Sequence, residues 1–249
     1  MQGLKHWIQS YRLLVRWHLL KIRPWIAPVL LFQLATGVGA SLGVGFLFPH
    51  ISAETGYFLS TGAPTAMLLA VGLAVVPTTV TRAKEAGVID YMMTLPVPRL
   101  AYLVADLTAW CILVLPVGAL SLAASSYRYG FQVRIGFLLL PAVLLTLIAA
   151  SSIGYLYGLL SPSTMVTSAV SNFAILLIFL LSPINFPADR LPGLLAALHE
   201  VLPIQAVAEL IHSSLGGSVP GSTEKNLALV VAWTGASLWA VHLIMSRRD

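Results

Sequence analysis

Charged residues are so sparse along this chain that the stretches between them outline its elements. Residues 24–53, 55–81, 107–127, 135–188 and 226–246 contain no Asp, Glu, Lys or Arg. A bilayer-spanning helix needs about 20 apolar residues. Four of the stretches therefore hold one span each. The 54-residue stretch 135–188 holds two, divided at Ser161-Pro162-Ser163-Thr164, a cluster that turns the chain and breaks helices. The pattern predicts an all-α, polytopic membrane protein, a single transmembrane domain over residues 1–249. Its six helices lie near 26–48, 61–81, 99–124, 135–160, 165–184 and 226–246.

Two segments carry helical periodicity without the length to span. In residues 4–23, Leu4, Trp7, Ile8, Tyr11, Leu14, Val15, His18 and Ile22 recur at helical spacing. Lys5, Gln9, Arg12, Arg16 and Arg23 form a separate row. Such a helix lies in the membrane interface, with its apolar face in the acyl boundary and its basic row near anionic headgroups. A cytosolic helix packed on another subunit has the same pattern; Trp7, Trp17 and Trp25 favour the interface. Between the fifth and sixth spans, residues 185–224, the stretches 191–202 and 204–215 read as two short helices parted by Pro203. Each is too short to cross, so an external re-entrant or surface hairpin is expected, followed by a flexible loop at residues 216–222. His199, Glu200, Glu209 and His212 sit on it without a compact zinc-ligand spacing.

Composition narrows the class and charge gives the orientation. Of 249 residues, 58% are hydrophobic and 9% charged, far below the roughly 25% charge of a soluble domain. The single cysteine, Cys111, excludes a disulfide scaffold. The net charge of +5 would suggest nucleic acid in a soluble protein, and no nucleic-acid partner is expected here. Ten of the 14 basic residues flank one side of the predicted spans: Lys5, Arg12, Arg16, Lys21, Arg23, Arg82, Lys84, Arg99, Arg247 and Arg248. That asymmetry predicts both termini in the cytoplasm.

The loop at residues 82–99 carries the most specific pattern. Residues 88–95 read as a short amphipathic helix in which Ile89, Met92, Met93 and Leu95 are apolar, with Glu85 and Asp90 acidic. Pro96 and Pro98 stop it before the next span. A charged helix carrying two methionines is a suitable docking knob, because Met fills grooves adaptably. An ordinary connection between spans is the plainer reading. The segment resembles the coupling helix of ABC-2 type ABC transporter permeases, the membrane subunits of the type V exporter fold. Glu85, Gly87, Asp90, Leu95, Pro96 and Arg99 match that pattern in order. The resemblance extends over the chain, from the interfacial helix through six spans to the hairpin, where Pro187, Leu191-Pro192, Leu202-Pro203 and Glu209 also match. Asp106 departs from it.

The resemblance implies an exporter in the cell (inner) membrane. Two permeases, identical or paralogous, would pair, and each coupling helix would dock on a separate ABC ATPase subunit. The docking residues would be Glu85, Gly87, Ile89, Asp90, Met92, Met93, Pro96 and Arg99. ATP and Mg would be held by that partner and no cofactor by this chain. The residues agree, since no Gly-x-x-x-x-Gly-Lys-Ser/Thr phosphate loop occurs. The resemblance also places Gln33, Thr36, Ser168, Ser171 and Asn172 along the substrate path; interhelical hydrogen bonding is their alternative role. The spans favour a hydrophobic or amphipathic cargo such as a drug, peptide or lipid.

Asp106 is an intramembrane carboxylate. It either pairs with Lys84 or Arg82 or holds a proton or cation, and pairing is preferred. Small-residue rows in spans one and four, Gly39 with Gly43 and Gly154 with Gly158, permit close helix approach within or between subunits. Pro77, Pro116 and Pro141 are expected to kink their spans. A secondary carrier or channel would want a charged ring or an inverted repeat. An intramembrane protease would want Gly-x-Ser-Gly or His-Glu-x-x-His, neither of which occurs. The chain is therefore not expected to be an enzyme by itself.

Overall fold

The chain was described as a computed structural model, which covers residues 2–47, 53–95, 99–130, 135–184, 186, 191–216 and 222–246. Among the described residues every regular element is helical. In chain order these are α1 (Gln2–Ile22), α2 (Ile26–Leu47), α3 (Ala53–Ala70), α4 (Val76–Glu85), α5 (Val88–Thr94), α6 (Arg99–Tyr129), α7 (Leu139–Leu160), α8 (Thr164–Leu181), α9 (Gly193–Val201), α10 (Pro203–Ser214) and α11 (Thr223–Ser246).

Among the described residues, four stretches are long and apolar enough to cross a membrane: Gly56–Glu85, Val104–Tyr129, Leu139–Leu160 and Thr223–Ile244. The pair Gly193–Val201 and Pro203–Ser214, bent by 79°, adds a fifth if it counts as one span. α2 and α8, at the first and fifth predicted spans, contribute the shorter apolar stretches Ile26–Ala35 and Thr164–Phe179. The two short helices predicted in this region are present as α9 and α10. Pro203 opens α10 rather than lying between two helices, a position where its missing N–H costs nothing.

The second span is one long helix with an inserted irregularity. α3 and α4 are joined by a π-helical turn, Val71–Val75, just before Pro77. Proline has no N–H to give the preceding turn, and a wider turn absorbs that loss. α7 packs against this place. A Cβ on Gly154 would collide with the Gly72 carbonyl, and one on Gly158 would lie 2.7 Å from the Pro77 carbonyl oxygen. The Gly154/Gly158 row is therefore a contact within the chain. Gly39 and Gly43 on α2 face open space. Pro141 is the third residue of α7, where an orphan N–H is missing in any case, so it kinks nothing.

The core runs through the α3–π–α4 helix, α6, α7, α10 and α11, with Val76, Val114, Leu147, Val207 and Val230 fully buried in it. α1 lies along the first turns of α6. Its row Ser10, Leu14 and His18, spaced at i, i+4 and i+8, is buried, and Leu14 packs with Ala101 and Ala105. Tyr11 Oη and Thr108 Oγ1 meet at 2.9 Å. Thus α1 packs on its own chain, where its periodicity also allowed packing on another subunit.

Candidate functional site

The last turn of α4 ends in Thr81, Arg82, Lys84 and Glu85, and three of these four tie down one place: the turn between α7 and α8. Lys84 Nζ donates to the Leu159 carbonyl at 2.9 Å and the Ser161 carbonyl at 2.6 Å. The last carbonyls of a helix have no partner within it, and a cation there also meets the negative end of the helix dipole. Glu85 does the converse at the start of α8. Its Oε1 accepts the Thr164 backbone N–H at 2.8 Å, and its Oε2 accepts the Thr164 hydroxyl at 2.5 Å. Two consecutive residues of opposite sign therefore hold opposite ends of two consecutive helices.

Beneath this clamp lies a layer of hydroxyls. Thr81 Oγ1 sits 2.9 Å from the Gly158 carbonyl oxygen and 2.9 Å from Thr167 Oγ1. Thr167 in turn reaches Ser161 Oγ at 2.6 Å. Ser163 caps α8 through its side chain, which accepts the Val166 N–H. The Ser161-Pro162-Ser163-Thr164 cluster is thus more than a break between spans, because Ser161 and Thr164 belong to the receiving half of the clamp and Ser163 caps α8.

From the clamp the chain enters α5 through Gly87. Its backbone has φ +69°, left-handed, and its N–H closes on the Lys84 carbonyl at 3.1 Å. A residue with a Cβ is strained there and proline cannot adopt it. α5 runs as predicted, but one of the residues expected to dock, Ile89, does not face outward. Ile89 is 5% exposed and joins the core with Val80 and Ala83, so it anchors α5 instead of projecting from it. Met92 is half-buried, while Asp90 and Tyr91 face out, Tyr91 at 62% exposure. Tyr91 is the exposed aromatic residue of α5, and the apolar pattern alone did not single it out. Pro96 and the side chains of Met93 and Arg99 lie outside the described residues, as does Pro187.

Asp106 does not pair with Lys84 or Arg82. His18 of α1 takes it, with Nδ1 2.9 Å from Asp106 Oδ1. The reason is geometric: Lys84 is drawn to the end of α7, while packing of α1 along α6 brings His18, 2% exposed, beside Asp106. A cavity of about 40 Å³ adjoins this pair, lined among others by Trp110 and Tyr155.

The substrate-path candidates are dispersed. Gln33 is buried on α2, which packs against α3 and α6. On α8, which packs against α4 and the π turn, Ser171 is buried, Ser168 half-buried and Asn172 exposed. The side chain of Thr36 lies outside the described residues. None of the four described ones lines an apolar cavity of about 610 Å³ that lies between α3, α6, α7 and α10 and is walled by Pro64, Leu68, Leu122, Val143 and Ile211.

On the other side of the molecule, His212 of α10 is enclosed, with Nδ1 2.6 Å from Thr61 Oγ1 and Nε2 3.1 Å from the Ile184 carbonyl oxygen. Glu209 accepts from Gln205 at 2.8 Å and from Asn226 at 2.7 Å. Two of the hairpin's four possible zinc ligands, Glu209 and His212, are thereby engaged with different partners. Among the described residues no group of three or more His, Cys, Asp or Glu could hold a metal ion.

Several long apolar helices packed into one core, with a charged clamp and a short protruding helix at one end, define a multi-pass membrane protein. The chain belongs to the ABC-2 type transporter family, whose model matches residues 11–215, from α1 to the end of α10. No curated protein sequence matches it. The protein is accordingly a transporter permease, the membrane component of its machine.

Proposed function

We infer that this permease spans the cell (inner) membrane six times with both termini in the cytoplasm, and that it is driven by a separate ABC ATPase subunit. In this reading α2 and α8 are the first and fifth spans and α1 lies in the cytoplasmic interface. α5 is the coupling helix. It presents Asp90 and Tyr91 to a groove on the ATPase, and Ile89 fixes it to the membrane domain. ATP and Mg are bound by the partner.

The observation that carries this reading is the Lys84–Glu85 clamp. A push on α5 reaches α4 through the Gly87 turn and reaches α7 and α8 at once through the clamp. Three helices thus receive one input. The open Gly39/Gly43 row of α2 and the outward apolar residues of α8, among them Val166, Val170 and Phe173, suit pairing with a second permease. The apolar cavity between α3, α6, α7 and α10 suits a hydrophobic or amphipathic cargo moved outward.

Reconstitution tests it. The purified chain should hydrolyse no ATP. With a cognate ABC ATPase subunit, hydrolysis should rise in proteoliposomes and an amphipathic cargo should accumulate on the far side. Hydrolysis by the permease alone, or unaltered transport after removal of the ATPase, would overturn the reading.

A further inference from the structure

Three arginines share a stripe that runs along α1 into the following 3-10 turn and that packing against α6 leaves open. Arg12, Arg16 and Arg23 lie within about 40° of one another around the helix, given 100° per residue, and Leu19 falls in the same stripe. All three arginines are exposed. Among the described residues none of them forms an ion pair.

The stripe also borders a shallow, largely open depression. The three arginines line a groove of about 720 Å³ whose walls are Val15, Leu19 and Ile26, so it continues past the 3-10 turn Arg23–Trp25 onto the first residue of α2. No acidic residue lines it. Solvated arginines on a polar helix face would have no apolar wall beside them. An acyl chain alone would need no arginines. An amphipathic anion satisfies both.

We propose that this groove is a binding site for an anionic glycerophospholipid of the leaflet that α1 contacts, its phosphate held by arginine and its acyl chain along Val15, Leu19 and Ile26. Arg12 and Arg16 are separated by about 6 Å of helix rise, close enough to share one phosphate, while Arg23 lies about 10 Å further on. Guanidinium groups suit this task because they bind phosphate through two parallel hydrogen bonds. The bound lipid would then hold α1 and α2 at a fixed angle where the chain turns into the bilayer. This goes beyond a general attraction of basic residues to a charged surface, since it requires a saturable site with one ligand per chain. The proposal rests on the membrane reading and not on ATPase coupling.

Native mass spectrometry of the permease alone in detergent is the test, with phosphatidylglycerol, cardiolipin and phosphatidylcholine as probes. One phosphatidylglycerol or cardiolipin per chain is expected to survive mild activation, with phosphatidylcholine at least about tenfold weaker. The combined Arg12→Gln, Arg16→Gln and Arg23→Gln variant should lose retention by about tenfold or more at unchanged thermal stability. A Lys5→Gln, Arg128→Gln control should retain the lipid. Equal retention by the triple variant, equal loss in the control, or equal binding of phosphatidylcholine would overturn the proposal. Full displacement by millimolar glycerol phosphate would do the same, since the apolar wall would then contribute nothing. Because no ATPase is present, failure here leaves the coupling reading untouched.

Discussion

The two ends of the long α3–π–α4 helix are both tied to the rest of the molecule by polar contacts, and the ties differ in kind. At the α3 end, Tyr57 Oη donates to the His212 carbonyl at 2.5 Å and Thr61 meets the His212 ring, which is 1% exposed. Polar contacts sealed in an apolar setting are costly to break, because each partner left unmade loses about 1–3 kcal/mol. At the α4 end, Lys84 and Glu85 hold helix termini at the surface, where water competes and each contact is individually weak. One end is therefore a fixed pivot and the other a releasable grip. A helix anchored in this way can transmit a displacement from α5 without losing its place in the core.

The comparison can be broken from either side, and the largest effects should come from the grip. Gly87→Pro removes the left-handed backbone and the N–H that closes on Lys84, so α5 can no longer leave α4 at its native angle. Coupled ATPase stimulation and transport in proteoliposomes should fall to background while membrane insertion stays normal. Glu85→Lys places a cation against the N-terminus of α8, where the dipole opposes it, and should remove most transport. Normal coupling in both variants would dismiss the coupling role of this loop.

The pivot should respond differently. His212→Ala opens a cavity and strands the Ile184 carbonyl, lowering stability by about 3 kcal/mol. Thermal unfolding in detergent should show it, while the transport obtained per ATP hydrolysed by the surviving protein should be unchanged. A selective loss of coupling in this variant would erase the distinction between the two ends.

Smaller effects fall on the outward face of α5. Tyr91→Ala should weaken ATPase binding by about fivefold to tenfold, the range for one exposed aromatic contact, with no change in thermal stability. Ile89→Ala should do the reverse, destabilising α5 through its buried contact by about 2 kcal/mol or more. If the two exchanged phenotypes, α5 would be docked with its other face.

How much of this was legible in the chain depends on whether the feature is local. The charge-free stretches located the long apolar helices because hydrocarbon tolerates few charges over about 20 residues. The periodicity of α1 and α5, the two short helices α9 and α10, and the turn at Ser161-Pro162-Ser163-Thr164 all follow from spacing within a few turns. Misplaced features were those requiring two distant segments. Lys84 and Asp106 look like natural partners along the sequence, yet Lys84 finds carbonyls across the α7–α8 turn and Asp106 finds His18, 88 positions away. Ile89 and Tyr91 are both apolar enough to dock. Only the packing of α5 on Val80 and Ala83 decides which one is left outside.

The glycine rows show the same division. Gly154 and Gly158 share their spacing with Gly39 and Gly43, and spacing alone assigns all four to close helix contact. The structure sets α7 against the Gly72 and Pro77 carbonyls, and leaves the α2 row open. By itself the sequence determined that the chain is helical, membrane-bound and marked by one charged loop, since hydropathy, turn chemistry and charge asymmetry act over short distances. Tertiary structure alone decided where that loop acts. Helix termini leave unpartnered groups whose satisfaction depends on which other segment arrives, and Lys84 and Glu85 arrive together at the ends of α7 and α8.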